Sequence, residues 1–299
     1  MSTPPNWSLH GACGEPILGN THVPSGPPAG VLLLAHGFKG YKDYGFFPYL
    51  AQTAAESGLV AHRFNFSHSG MTNRIETFER PDLFQRDTWG KQIEDLSAVA
   101  SAVKSGELPG SKDGLPVVWF GHSRGGVTTI LAAWRVFDEK PKDLDAPAGV
   151  IAAASPHASS HLSEDQQAEL KRRGSLDSPS SRTGQLLRIG VDALLEVEKD
   201  PKNFDPIEAI SHFACPLWIV HGDDDQTVHV SAARRLADAA GANATLQTIP
   251  GASHTFNAPN PLPPDGPVPE ATRQMAHGVC RFAMGICEER SNARWEVSP

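Results

Sequence analysis

The chain has 299 residues, 39% of them hydrophobic, which allows one large α/β domain or two modest ones around a substantial core. Its 26 Lys and Arg stand against 34 Asp and Glu, a formal charge of −8. No positive surplus is available to neutralise a phosphate backbone, which excludes nucleic acid as a partner. No apolar run approaches the roughly 18 residues of a membrane span, and Met1 to Glu15 carries no basic stretch leading into an apolar one. A soluble, cytoplasmic protein without membrane attachment is expected.

In chain order, apolar β-rich runs recur at residues 31–35, 60–66, 117–120, 150–154, 217–220 and 244–249. Such runs suit strands buried on both faces. Helical patterns fall between them at 47–56, 87–104, 127–136 and 230–240, with Ile93, Leu96, Val99, Ala100 and Val103 close to a 3.6-residue period. The alternation predicts an α/β fold, a mainly parallel sheet with helices on both faces. Residues 157–212 break the rhythm, being charged, Ser-rich and partly helical with no obvious buried strand. They read as an insertion over the carboxyl ends of the strands, either a lid or a peripheral decoration. The core is thus 1–156 with 213–299. Residues 258–269 hold six prolines and must be loop.

Four cysteines in so long a chain do not make a disulfide scaffold. Cys280 and Cys287, on a helix, would lie about 10 Å apart along its axis, and all four are expected to be reduced packing residues. The 13 histidines bring no Cys-x-x-Cys or His-Glu-x-x-His spacing, so neither metal nor cofactor is expected.

Chemistry concentrates at Val117-Val118-Trp119-Phe120-Gly121-His122-Ser123-Arg124-Gly125-Gly126. An apolar run stops at Gly-x-Ser-x-Gly, and small and β-branched residues follow that can begin a helix. This is the layout of a nucleophile elbow, a strained turn that exposes a serine hydroxyl. A serine hydroxyl is a weak nucleophile; it needs a base within reach and a third group to orient that base. Both follow in order. His221-Gly222-Asp223-Asp224-Asp225 leaves one strand, and Gly251-Ala252-Ser253-His254 leaves the next. Of the three aspartates, Asp225 is favoured because the chain turns back to the core after it, with Asp224 second. His254 alone lies on the exit loop of the last predicted strand and takes the base role, while His36, His122 and His221 flank glycines as packed or orienting side chains. Donors for a tetrahedral oxyanion are expected from the amide of Arg124 and from the loop His36-Gly37-Phe38-Lys39-Gly40, most naturally the amide of Phe38.

These residues resemble the α/β-hydrolase superfamily over nearly the whole chain. His-Gly-Phe-Lys-Gly, Arg63-Phe64-Asn65-Phe66-Ser67-His68-Ser69-Gly70, Gly-His-Ser-Arg-Gly-Gly, Ser181-Arg182-Thr183-Gly184-Gln185, His-Gly-Asp-Asp-Asp and Gly-Ala-Ser-His are together similar to the esterase and dienelactone-hydrolase-like branch that includes cinnamoyl and feruloyl esterases. The resemblance implies a serine esterase acting on a small-molecule ester, with Ser123, Asp225 and His254 as triad and the amides of Phe38 and Arg124 as oxyanion hole. It also implies that 157–212 forms a lid over the acyl pocket. Two departures stand out: Ser67-His68-Ser69-Gly70 replaces the more usual Arg-Gly-His-Gly type of turn, and serine occupies the place where dienelactone hydrolases carry cysteine. A serine peptidase or amidase of the same fold and a binding protein that has lost turnover are the rival readings. Trp89 and Phe38 suit either a pocket wall or the core, and oligomeric state leaves no mark in the sequence.

Overall fold

A computed structural model describes residues 4–160 and 162–296. The chain opens with an antiparallel hairpin, β1 (Asn6–His10) and β2 (Pro16–His22). It then alternates through β3 (Gly30–Ala35), α1 (Phe47–Glu56), β4 (Leu59–Asn65), the short α2 (Pro81–Gln85), α3 (Trp89–Lys104), β5 (Val117–His122), α4 (Arg124–Glu139) and β6 (Gly149–Ala153). Next come α5 (Glu164–Arg173), β7 (Ser175–Pro179), β8 (Leu186–Gly190), α6 (Asp192–Lys199) and α7 (Pro206–Ser211). The chain ends with β9 (Leu217–Gly222), α8 (Ser231–Ala240), β10 (Ala244–Ile249) and the long α9 (Glu270–Glu296).

The main sheet runs β1-β2-β4-β3-β5-β6-β9-β10, antiparallel at the β1 edge and parallel from β4 onward. Alternate side chains of the central strands point to opposite layers. Val31, Leu33, Trp119, Val150, Ala152, Leu217 and Ile219 face the layer of α3, α4 and α8. Leu32, Leu34, Val118, Phe120, Ile151, Trp218 and Val220 face the layer of α1 and α9. Burial on both faces is why each of these strands reads as an unbroken apolar run. The α/β hydrolase fold expected from the sequence is the fold observed.

Several expectations need correction. The antiparallel β1/β2 hairpin was not anticipated, since β1 is a sheet-edge strand whose side chains are alternately exposed and half-buried. α4 begins at Arg124, earlier than residue 127, because the helix starts on the elbow itself. The 157–212 segment holds the antiparallel β7/β8 ribbon, too short and too polar to show as an apolar run. Near its end Phe204, Ala209 and Ile210 join the core with α4 and α8. Cys13 is exposed rather than packed, while Cys215, Cys280 and Cys287 are buried, and all four are free thiols. Among the described residues no helix is long and apolar enough to cross a membrane.

Candidate active site

Ser123 stands at the junction of β5 and α4 with φ 54° and ψ −123°, a conformation that costs an L-residue of order 1–3 kcal/mol and persists only where the surroundings impose it. They do so by close packing. A Cβ on Gly121 would lie 2.1 Å from the Gly125 carbonyl oxygen, and one on Gly125 would lie 2.4 Å from that of Ala35. Both glycines of Gly-x-Ser-x-Gly are therefore required by backbone contact. The Ser123 N–H donates to the Ala153 carbonyl at 2.8 Å, tying the elbow to β6.

The three aspartates after β9 separate by partner. Asp223 accepts the Gly251 N–H at 2.6 Å and so braces the turn that carries the histidine. Asp224 is exposed and accepts from Gln226 at 2.9 Å. Asp225 is buried; its Oδ1 accepts the N–H groups of Thr227 and Val228, each at 2.8 Å, and its Oδ2 lies 2.7 Å from His254 Nδ1. Burial works to raise the Asp225 carboxyl, but its bonds with His221, His254 and the Val228 N–H prevail and hold it below the ordinary carboxylate range. His221 Nε2 faces two acceptors, Val228 O at 2.7 Å and Asp225 Oδ2 at 3.2 Å, so that nitrogen carries the proton. By the same logic the anionic Asp225 fixes His254 with its proton on Nδ1 and leaves Nε2 without one.

His122, next to Ser123, holds the histidine loop. Its Nε2 donates to the His254 carbonyl at 2.8 Å and its ring lies 4.9 Å from the His254 ring. Burial pushes His122 down to about 3 and His36 to about 4, so both are neutral supports, as the sequence reading had them. Asn257, which the sequence reading missed, clasps the same loop. With φ 64° it accepts the Ser253 N–H at 2.9 Å and donates to Gly251 O at 3.1 Å. Its local signal was an asparagine in a loop, a residue type that tolerates the left-handed region. Among the described residues no hydrogen bond joins Ser123 Oγ to the His254 ring, a contact that in unliganded hydrolases commonly tightens only with substrate.

Neither the Phe38 nor the Arg124 N–H donates to another group among the described residues. Both residues line a cavity of about 410 Å³ that reaches Ser123. Its walls are largely apolar and include Trp89, Leu170, Ile189, Leu194 and Val228. The Arg124 guanidinium lies over Trp89, its carbon 4.1 Å from the ring centre, with Nη2 3.3 Å from Asp87 Oδ2. Burial pushes the Asp87 carboxyl up to about 6 against the pull of Arg124 and Gln92. Trp89 and Phe38, ambiguous in sequence, both face the cavity. Among the described residues no group of His, Cys, Asp or Glu is arranged to hold a metal ion.

Residues 32–264 match the alpha/beta hydrolase family, and the chain belongs to that family. No curated protein sequence matches it significantly. Among solved structures it resembles Est1E from Butyrivibrio proteoclasticus, at 17% identity and TM-score 0.64 over 93% of this chain and 98% of that one. The esterase domain of a Rhodothermus marinus protein is similar at 18% identity and TM-score 0.62, over 95% of this chain and 98% of that one. Dienelactone hydrolase from Anabaena variabilis follows at 18% identity and TM-score 0.60, over 95% and 99%. At such identities the likeness concerns the fold.

Proposed function

We propose that the chain is a serine hydrolase of carboxylic esters, working through an acyl-enzyme. Ser123 attacks the ester carbonyl as His254 Nε2 takes its proton, and the carboxylate of Asp225 stabilises the imidazolium that results. The amides of Phe38 and Arg124 hold the oxyanion. His254 returns the proton to the departing alcohol, and water activated by the same imidazole releases the acid. The observation that carries this reading is the 2.7 Å contact between Asp225 and His254 Nδ1, which leaves Nε2 unprotonated on the loop braced by His122, the residue before the strained serine.

The segment 157–212 acts in this reading as a lid, since Leu162, Leu170, Ile189 and Leu194 wall the cavity. An apolar acyl group fits such walls. One solved structure of Est1E has ferulic acid bound, which makes aromatic acyl groups a natural first probe. Burial pushes the thiols of Cys280 and Cys287 up to about 11 and that of Cys215 to about 12, so they are inert packing groups, compatible with a cytoplasmic protein.

Hydrolysis of p-nitrophenyl esters of increasing acyl length by wild type and Ser123→Ala tests the proposal. Turnover by the wild type and a loss of about 10⁴-fold or more in the variant are expected. Undiminished turnover in Ser123→Ala removes the serine from the chemistry.

A further inference from the structure

The run Ser181-Arg182-Thr183-Gly184-Gln185 has no part in the triad, yet its side chains contact Tyr41, three residues along the loop from Phe38, and Phe78. It forms the turn between β7 and β8, closed by Gly184 N–H to Ser180 O and Ser180 N–H to Gln185 O, both at 2.9 Å. From this turn Arg182 projects between two rings, its guanidinium carbon 4.7 Å from the centre of Tyr41 and 5.2 Å from that of Phe78. The same guanidinium donates to the Ile75 carbonyl. Gln185 satisfies both backbone groups of Phe78, accepting its N–H at 2.7 Å and donating to its carbonyl at 3.1 Å. Beneath them Leu187 of β8 is buried with Tyr41, Met71, Phe78 and Phe84.

Tyr41 belongs to the loop that carries Phe38, and the ribbon grips that loop a second time. Lys39, at φ 56°, donates from Nζ to the carbonyl of Pro179 at 2.8 Å. A non-glycine residue in that conformation, next to an amide that must meet an oxyanion, needs outside restraint. Neither Arg182 nor Lys39 has a carboxylate partner among the described residues. Their contacts are carbonyls, aromatic faces and, for Arg182, the Met71 sulfur at 3.3 Å, so they act by geometry rather than by balancing charge. The ribbon itself is seated hard: a Cβ on Gly190 would lie 2.1 Å from the Gln85 carbonyl oxygen of α2. Tyr41 and the far end of the loop are also tied by Asn260 Oδ1, which accepts from Tyr41 Oη at 3.1 Å and from the Gly45 N–H at 2.9 Å.

We propose that the β7/β8 turn is a fixed strap that sets the oxyanion loop, with Arg182 as its positioning residue, acting through Tyr41 on the Phe38 N–H and helped by Lys39. The proposal rests on the esterase reading, and it makes the ribbon a part of the insertion that stays in place during turnover. A misplaced oxyanion donor weakens transition-state binding and leaves ground-state binding almost untouched. In ester hydrolysis, Arg182→Ala should therefore lower kcat about 10- to 100-fold with KM within about twofold. A trifluoromethyl ketone analogue, whose adduct with the serine carries an oxyanion, should lose affinity by a similar factor. Arg182→Lys should recover only part of the loss, because an ammonium cannot lie flat between two rings.

Unchanged kcat in Arg182→Ala, or a loss confined to KM with ketone affinity intact, overturns the proposal. Should that variant fail to fold, Arg182→Lys and Lys39→Met decide in its place: lower kcat in either supports the strap, and wild-type kcat in both overturns it. A wild type without ester turnover, or turnover that survives in Ser123→Ala, defeats the underlying reading and this proposal with it. An active enzyme indifferent to residues 182 and 39 defeats the strap alone.

Discussion

Three adjacent carboxylates leave β9, and hydrogen bonds decide which of them serves the histidine. Asp223 is committed to the Gly251 N–H and Asp224 faces solvent, whereas Asp225 is buried between two backbone donors and the His254 ring. The sequence favoured Asp225 and kept Asp224 open, because side-chain direction in an irregular loop depends on bonds that residue types alone do not specify. Asp225→Asn keeps the volume and the Thr227 and Val228 contacts through its carbonyl, but it can turn an amide N–H toward Nδ1 and move the imidazole proton to Nε2. Its kcat should fall by about 10⁴-fold while the fold is retained, and Asp224→Asn should stay within about twofold. Equal kinetics for the two variants, measured on the same ester, would reverse the assignment.

At the scale of elements, legibility followed burial. The parallel strands β3, β4, β5, β6 and β9 stood out in sequence because both faces are apolar, β10 stood out at 244–249 although it is only partly buried, and the elbow stood out because Gly121 and Gly125 are dictated by backbone contact. The β1/β2 hairpin and the β7/β8 ribbon were missed because they are paired locally, and strands such as β1, β7 and β8 keep much of their surface exposed. α5 shows the same economy of signal. It has a complete capping box from Ser163 and Gln166, and Leu170 is its one buried residue, facing the cavity. Leu170 and Leu194 of α6 both wall the cavity, and in the proposed esterase reading they set how far an acyl group can reach. Leu170→Ala and Leu194→Ala should shift preference toward longer acyl chains, changing the ratio of kcat/KM for long against short esters by about tenfold. A chain-length profile superimposable on that of the wild type would mean that these helices cover the cavity without shaping the substrate site.

Taken as a whole, the molecule buries titratable groups that pull stability in opposite directions with pH. Burial pushes Asp95 up to about 7 although it accepts bonds from the Ala12 and Ser67 N–H groups, so its contribution is fully present below about pH 4 and is lost as pH rises toward 7. Burial pushes His36 down to about 4 and His62 and His122 to about 3. Each of these histidines folds neutral, so its contribution is present above pH 6.5, the ordinary histidine value, and is lost as pH falls toward 3–4. Burial also pushes His22 and His68 down to about 4 and Asp87 up to about 6, and five histidines against two carboxyls make stability rise with pH across the window from 4 to 6.5. His62 offers the cleanest test, since it bridges Thr21 Oγ1 at 2.8 Å and Ser111 Oγ at 2.9 Å and lies outside the cavity lining. In His62→Gln an amide supplies a donor and an acceptor to the same hydroxyls without a titrating proton. Urea unfolding from pH 4 to 6.5 should then show a pH slope shallower by up to about 1.4 kcal/mol per unit, one proton's worth. Ester kinetics at pH 7 should stay as in the wild type. A slope identical to that of the wild type would show that His62 does not fold neutral, and would assign the acid limb to the other buried histidines, His22, His36, His68 and His122.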